Sequence, residues 1–123
     1  MLEKFSMIKK LENCKHVQII NPQGYLDFLA LIKNSRFVMT DSGGIQEEIT
    51  SPLLSKRVLV LRESSERPEA INAGMASLIP LRHQNITKSI LQEWDKKEVK
   101  IKKSPYGTGN SASKILTVLE KYS

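Results

Sequence analysis

The stretch Val38-Met39-Thr40-Asp41-Ser42-Gly43-Gly44-Ile45-Gln46-Glu47-Glu48 carries the strongest structural signal in this chain. A buried-type strand ends at Thr40, the chain turns, and a helix begins at the paired glycines. This arrangement places unpaired backbone N–H groups and the positive end of a helix dipole at the carboxyl edge of a sheet. Ser42 adds a hydroxyl donor, and Gly43 and Gly44 allow close approach. The sequence therefore predicts an anion-binding loop, suited to a diphosphate.

Similar apolar, β-branched runs recur about every twenty residues on either side of this loop, with segments of helical length between them. That alternation predicts an α/β fold with a parallel sheet covered by helices. Because the runs do not alternate with polar residues, they indicate strands buried on both faces, as in a doubly wound sheet. The four predicted strands are Val17–Ile20, Phe37–Thr40, Val58–Leu61 and Ser77–Ile79.

Helical periodicity is clearest in the second half of the chain, where two segments each carry one apolar face that should pack on an apolar surface. The segment between them, residues 95–109, is rich in lysine and indicates a solvated basic connector that ends in a turn-rich loop. A short N-terminal helix should lead into the first strand. The two apolar faces consist of Ile86, Ile90, Leu91 and Trp94, and of Ala112, Ile115, Leu116 and Leu119.

Length and composition fit one domain over residues 1–123, of which 40% are hydrophobic. No apolar stretch approaches the ~20 residues that span a bilayer, and the N-terminus resembles no secretory signal, so we expect a soluble, cytoplasmic protein that does not bind membranes. The single cysteine, Cys14, excludes an intrachain disulfide, and we expect no metal or cofactor. The net charge of +6 suits an anionic ligand, whether a sugar nucleotide, a nucleic acid or an acidic partner.

Carboxylates near the glycine loop suggest hydroxyl recognition. Glu48 lies one turn beyond Gly44 and leans back toward the helix start, where it could accept hydrogen bonds from a ribose. The alternative is an ordinary strand-to-helix turn in which Glu47 and Glu48 stabilise the helix. Arg67 and Glu69 follow another buried strand, and should also reach the carboxyl edge; the alternative is a set of paired surface charges.

Three segments together resemble the signatures of one enzyme family: Asp41–Glu48, Arg62–Ala70 and Pro105–Gly109. The segment Pro22–Phe28 is similar to a fourth signature, and the four span roughly residues 15 to 120 in the family's order. They resemble the C-terminal half of the non-hydrolysing UDP-N-acetylglucosamine 2-epimerases. The resemblance implies a Rossmann-like fold, similar to the C-terminal domain of a two-domain GT-B protein.

The resemblance also implies roles for individual residues. The positions that match Ser42, Gly43 and Gly44 hold the diphosphate of a UDP-sugar, and the position of Glu48 binds its ribose. Phe28 would stack on uracil, although its apolar neighbours alone would suggest a core residue. The resemblance places Arg67 and Glu69 in the cleft between the two domains, near the sugar and diphosphate.

In the family that this chain resembles, the acid and base carboxylates come mainly from the N-terminal half, which has no counterpart here. The chain should therefore not interconvert UDP-N-acetylglucosamine and its manno epimer alone. It could be half of a split enzyme completed by a separately encoded N-terminal half, a free-standing sugar-nucleotide regulator, a remnant without a role, or a basic nucleic-acid-binding protein. The apolar face of the last helix predicts a homodimer or association with the missing half.

Overall fold

The computed structural model describes residues 2–81, 83–97 and 100–122 and shows helices that alternate with short strands. The segment 23–80 follows the strand-helix alternation that its sequence predicts. The elements are α1 (Leu2–Glu12), α2 (Tyr25–Asn34), β1 (Val38–Thr40), α3 (Gly43–Ile49), β2 (Val58–Val60), α4 (Pro68–Asn72), β3 (Ala76–Leu78), α5 (His83–Trp94) and α6 (Ser111–Tyr122).

The sheet is parallel throughout, which confirms the α/β fold class. Its strands follow the order β1-β2-β3, and Val38, Val58 and Ala76 lie side by side in register. The central strand β2 is buried along its whole length, whereas β1 and β3 are partly exposed. The expectation that every strand is buried on both faces therefore holds only for β2, because each outer strand has one neighbour in the described sheet.

The core lies where helices cover this sheet. One buried cluster joins residues of three helices and two strands: Ile32 of α2, Ile49 of α3, Ala70 of α4, Val58 and Val60 of β2, and Ala76 of β3. Two aromatic residues, Phe28 and Tyr106, pack against the cluster and remain partly exposed. Burial of aliphatic surface on this scale is the main force that holds such a layer together.

The predicted first strand, Val17–Ile20, is wrong. These residues follow α1 as irregular chain, and Ile19 and Ile20 are more than half exposed. A parallel strand needs a neighbour that satisfies its N–H and C=O groups. Within the described sheet no strand pairs with this run, so its β-branched residues lack the partner that would make them a strand.

The two C-terminal helices form as predicted but differ in packing. On α5, Ile86 and Ile90 are partly buried, whereas Leu91 is 62% exposed. Among the described residues of α6 none is buried, and Ile115 and Leu116 are 60% and 57% exposed. The prediction that both helices pack on apolar surface is thus wrong for α6. No helix in the described part of the chain is long and apolar enough to cross a bilayer.

The basic connector is only partly solvated, which corrects the expectation for residues 95–109. Ile101 is buried, and its backbone N–H donates a hydrogen bond to the Ser55 hydroxyl at 3.3 Å. A β-branched apolar side chain within a lysine-rich segment thereby anchors the connector beside the loop that precedes β2.

Candidate functional site

Two loops meet at the carboxyl edge of the sheet. One joins β1 to α3 through Asp41 and Ser42, and the other runs from Leu61 to Arg67 between β2 and α4. The Leu61 N–H donates to the Thr40 carbonyl at 2.9 Å, which extends the strand pairing into the loops. The predicted strand-turn-helix at the glycine loop is confirmed, and α4 begins at Pro68, whose fixed φ suits the first helical position.

Gln46 links the two loops, a role that the sequence motifs do not predict. Its side chain is fully buried, its amide donates to the Ser42 carbonyl at 3.2 Å, and its carbonyl accepts from the Ser65 hydroxyl at 3.1 Å. The Ser65 hydroxyl also accepts the Arg67 N–H at 3.0 Å. The available signal in the sequence was a glutamine four residues after Ser42, on a helix whose buried face is otherwise apolar.

Arg67 lies beside the first turn of α3. Its Nε is 2.6 Å from a carboxylate oxygen of Glu47, and a Cβ added to Gly43 would lie 3.9 Å from that Nε. Both charged side chains are about two-fifths exposed, at 44% and 39%. The pair holds the guanidinium at the glycine loop. The contact with Glu47 involves the Nε–H of Arg67, which leaves the other four N–H groups of the guanidinium as donors for a ligand.

The paired glycines leave an open surface at the start of α3. Neither has a positive φ, and a Cβ added to Gly44 would meet no atom within 4 Å. The backbone alone therefore does not require glycine here, since alanine would fit in the unliganded protein. Ser42 is the N-cap residue, but its side chain makes no capping hydrogen bond.

Glu48 is held from the other side by Tyr25. The Tyr25 hydroxyl donates to a Glu48 carboxylate oxygen at 3.1 Å, which links the start of α2 to α3. This hydrogen bond, followed by the negative charge of Glu48, raises the pKa of Tyr25 above its usual range. Phe28 lies one turn further along α2, partly buried against the core cluster. The structure thus brings Glu48 to the edge of the glycine loop and leaves part of Phe28 exposed.

Tyr106 is a further residue of this region, and the sequence identifies it only as part of the Pro105–Gly109 signature. It packs against the core cluster, close to Glu69, Glu47 and Arg67. Burial raises the pKa of its phenol, the charges of Glu69 and Glu47 act in the same direction, and the Ala70 backbone and Arg67 oppose them. Its position in a loop rich in glycine and proline was the signal that could have identified it.

The site combines groups that bind an anion with groups that accept hydrogen bonds. The α3 N-terminus, the Ser42 hydroxyl and Arg67 can donate to phosphate oxygens, and Glu48 can accept from hydroxyls. Glu69, in the first turn of α4, is exposed at the same edge. Within the described ranges no cluster of three or more His, Cys, Asp or Glu side chains could hold a metal ion.

Comparison with known proteins identifies the family of this chain. The family model described as UDP-N-acetylglucosamine 2-epimerase matches residues 3–120. UDP-N-acetylglucosamine 2-epimerase from Campylobacter jejuni is 42% identical over 115 residues, which take in 90% of this chain and 30% of that protein. This chain therefore spans about a third of the length of its curated relatives.

Comparison with solved structures indicates the same family. UDP-GlcNAc 2-epimerase from Methanocaldococcus jannaschii, in complex with UDP-GlcNAc and UDP, has a TM-score of 0.78 and 36% identity, covering 98% of this chain and 32% of that chain. Staphylococcus aureus MnaA with UDP has a TM-score of 0.80 and 33% identity, covering 97% and 32%. The matched region contains both loops of the carboxyl edge. This chain belongs to the UDP-N-acetylglucosamine 2-epimerase family.

Proposed function

We propose that this chain binds UDP, alone or as part of a UDP-N-acetylhexosamine, at the carboxyl edge of its sheet. The observation that carries the proposal is the open first turn of α3, with Arg67 fixed beside it and Glu48 fixed one turn further on. Further support comes from the relatives of M. jannaschii and S. aureus, whose structures hold UDP-GlcNAc and UDP, or UDP.

Each part of the ligand has a group of matching chemistry. The diphosphate takes donors from Ser42, Gly43, Gly44 and Arg67, while a ribose hydroxyl donates to Glu48. The exposed part of Phe28 offers a face for uracil, and we assign Glu69, which is exposed in the first turn of α4, to the sugar. Tyr25 already occupies one Glu48 oxygen, so the ribose uses the remaining acceptor positions of that carboxylate.

Binding of UDP compared with UMP by calorimetry tests the diphosphate role. We expect UDP to bind about tenfold or more tightly, because the second phosphate adds charge-assisted hydrogen bonds. Gly44→Ala should leave the fold intact or stabilise it by about 0.5 kcal/mol, yet weaken UDP binding, since the new methyl group occupies the space that the ligand needs. Equal affinity for UDP and UMP, or full UDP affinity in Gly44→Ala, contradicts the proposal.

The ribose role of Glu48 has its own test. Glu48→Ala should cost about 1 to 3 kcal/mol of UDP binding through loss of a charge-assisted hydrogen bond. Glu12→Ala, an equivalent change at the exposed end of α1, is the matched control and should leave binding unchanged. An unchanged UDP affinity in Glu48→Ala would leave Glu48 with a helix-stabilising role only.

This chain alone is proposed to bind without epimerising. Inversion at C2 requires a base that removes a carbon proton in a site closed to water. Here Glu47 is paired with Arg67, Glu48 accepts from Tyr25, and both lie at an open edge. NMR of C2 inversion and of deuterium exchange should show no turnover by this chain, and turnover only with a separately encoded N-terminal half. Turnover by this chain alone contradicts the proposal and identifies a complete enzyme.

Self-association is the second part of the proposal. The exposed apolar face of α6, with Ile115 and Leu116 at its centre, suits contact with a second copy or with an N-terminal half. Light scattering should detect a homodimer that Leu116→Glu converts to monomer. Thr117→Glu, on the polar face of the same helix, is the matched control. A monomer at every concentration excludes the homodimer.

A further inference from the structure

A second concave surface lies at the opposite, amino edge of the sheet. It encloses about 590 Å³ and is bordered by the end of α2, by the segments that lead into β1 and β2, and by the start of the basic connector. The Val38 N–H donates to the Arg57 carbonyl at 3.1 Å, so the entries to β1 and β2 are adjacent. The volume lies within the range of ligand sites in proteins.

The lining of this cavity is strongly cationic. Seven basic side chains come from three separate stretches of the chain, against one carboxylate among the described lining residues, that of Glu93. Glu98, in the same connector, lies outside the described residues. The cationic residues of the amino-edge cavity are Lys33, Arg36, Lys56, Arg57, Lys96, Lys97 and Lys100.

Glu93 neutralises only part of this charge. Its carboxylate is 3% exposed and lies 3.2 Å from Arg57 Nε and 2.8 Å from Lys96 Nζ. The remaining cations of the amino-edge cavity make no ion pair with any described residue. Like charges that converge on one concavity repel one another and destabilise the unliganded protein, and a bound anion removes that repulsion.

The wall of the cavity is held in place by specific contacts. The Ser55 hydroxyl donates to the Pro52 carbonyl at 3.0 Å and accepts the Ile101 N–H, which fixes Lys100 beside the loop before β2. The Arg36 guanidinium lies 4.9 Å from the centre of the Trp94 ring, which also meets Phe37 edge-on. The tertiary structure therefore brings together basic side chains that are far apart in the sequence.

We propose that the amino-edge cavity is a second ligand site, which binds a compact polyphosphate chain carrying three or more negative charges. The cations surround a concavity rather than forming a stripe along the surface, which favours a small polyanion over a nucleic acid strand. Among the described residues, one exposed aromatic, Trp94, borders the region, whereas single-strand binding normally uses several stacking residues. The site lies at the far ends of the strands from the proposed UDP site and does not depend on it.

Trp94 provides a local probe, because it is the only tryptophan of the chain and contacts a cavity residue. Inorganic tripolyphosphate, titrated at about 150 mM salt, should change Trp94 fluorescence and raise the Tm; sulfate at equal ionic strength should do neither. The same titration in saturating UDP should give the same affinity. Loss of the signal in UDP contradicts a separate site.

Paired charge variants decide whether the cavity binds the anion. Lys33→Gln with Lys56→Gln removes two cavity charges, and Lys114→Gln with Lys121→Gln removes two exposed charges from α6. Tripolyphosphate affinity should fall roughly tenfold to thirtyfold in the cavity variant, given charge-assisted contacts, and less than about twofold in the α6 variant. Equal loss in both variants indicates general charge attraction and overturns the proposal.

Two further ligands identify the source of the phosphate chain. ATP binding more tightly than tripolyphosphate assigns the site to a nucleotide, and equal affinity assigns it to the phosphate chain alone; both support the proposal. A single-stranded oligonucleotide that displaces tripolyphosphate and binds more tightly, with a steep salt dependence, overturns it in favour of a nucleic-acid surface.

Discussion

Gln46→Met tests the connection between the two loops of the carboxyl edge. Methionine has nearly the same shape as glutamine and keeps the buried position filled, but it cannot donate to the Ser42 carbonyl or accept from the Ser65 hydroxyl. The change therefore isolates two hydrogen bonds at a fully buried side chain.

The expected magnitude follows from those two bonds. Each contributes about 1 kcal/mol net, so unfolding free energy should fall by about 2 kcal/mol. For a domain of this size that corresponds to a Tm lower by roughly 8 °C. UDP affinity should fall as well, about tenfold, because Ser42 and Arg67 are no longer held in one arrangement before the ligand binds.

Urea denaturation and calorimetric UDP titration measure the two effects on the same samples. The midpoint should fall with an unchanged slope, which indicates an intact fold of lower stability. Gln92→Met, at an exposed position of α5, is the matched control and should alter neither quantity. Stability within about 0.5 kcal/mol of the parent chain refutes the hydrogen-bond argument. Lower stability with unchanged UDP affinity refutes the positioning role.

Two other perturbations follow from the structure. Glu93→Gln should destabilise the chain by about 3 kcal/mol in urea, because Arg57 and Lys96 lose a buried partner, whereas Glu12→Gln should have no effect. Tyr106 has a raised pKa in the folded chain, so the unfolded chain loses its phenolic proton first, near pH 10.0, and stability should fall as pH rises from there through the folded pKa. Tyr106→Phe should remove this contribution to the loss of stability at alkaline pH. If the urea midpoints of the parent chain and of Tyr106→Phe fall equally from pH 8 to 11, the role of Tyr106 is contradicted.

Local pattern was sufficient for most elements of the fold. The apolar runs that became β1, β2 and β3 are predicted to within one residue at their ends, and α4 begins at Pro68, whose fixed φ suits the first helical position. Turn residues before the paired glycines located the loop after β1. These signals succeed because strand burial, proline geometry and turn formation depend on residues that are neighbours in sequence.

The same local reasoning failed where partners decide the outcome. The run Val17–Ile20 has strand-forming residues but no neighbouring strand in the described sheet, and α6 has an apolar face that buries no residue. The connector around Ile101 was expected to be solvated, yet one apolar side chain docks it beside Ser55. Propensity describes what a segment can form, whereas packing depends on what lies next to it.

The sequence by itself determined the α/β class, the glycine loop at the end of β1, and the family resemblance that assigns Ser42, Gly43, Gly44 and Glu48 to a UDP site. Tertiary structure decided which side chains meet. Tyr25 is 23 residues from Glu48, and Ser65 is 19 residues from Gln46, yet each pair is joined by a hydrogen bond. The amino-edge cavity likewise brings together charges from three separate stretches of the chain. Such contacts depend on the order of the strands and the path of the loops. Sequence periodicity does not encode either, because it indicates only which face of its own helix or strand a residue occupies.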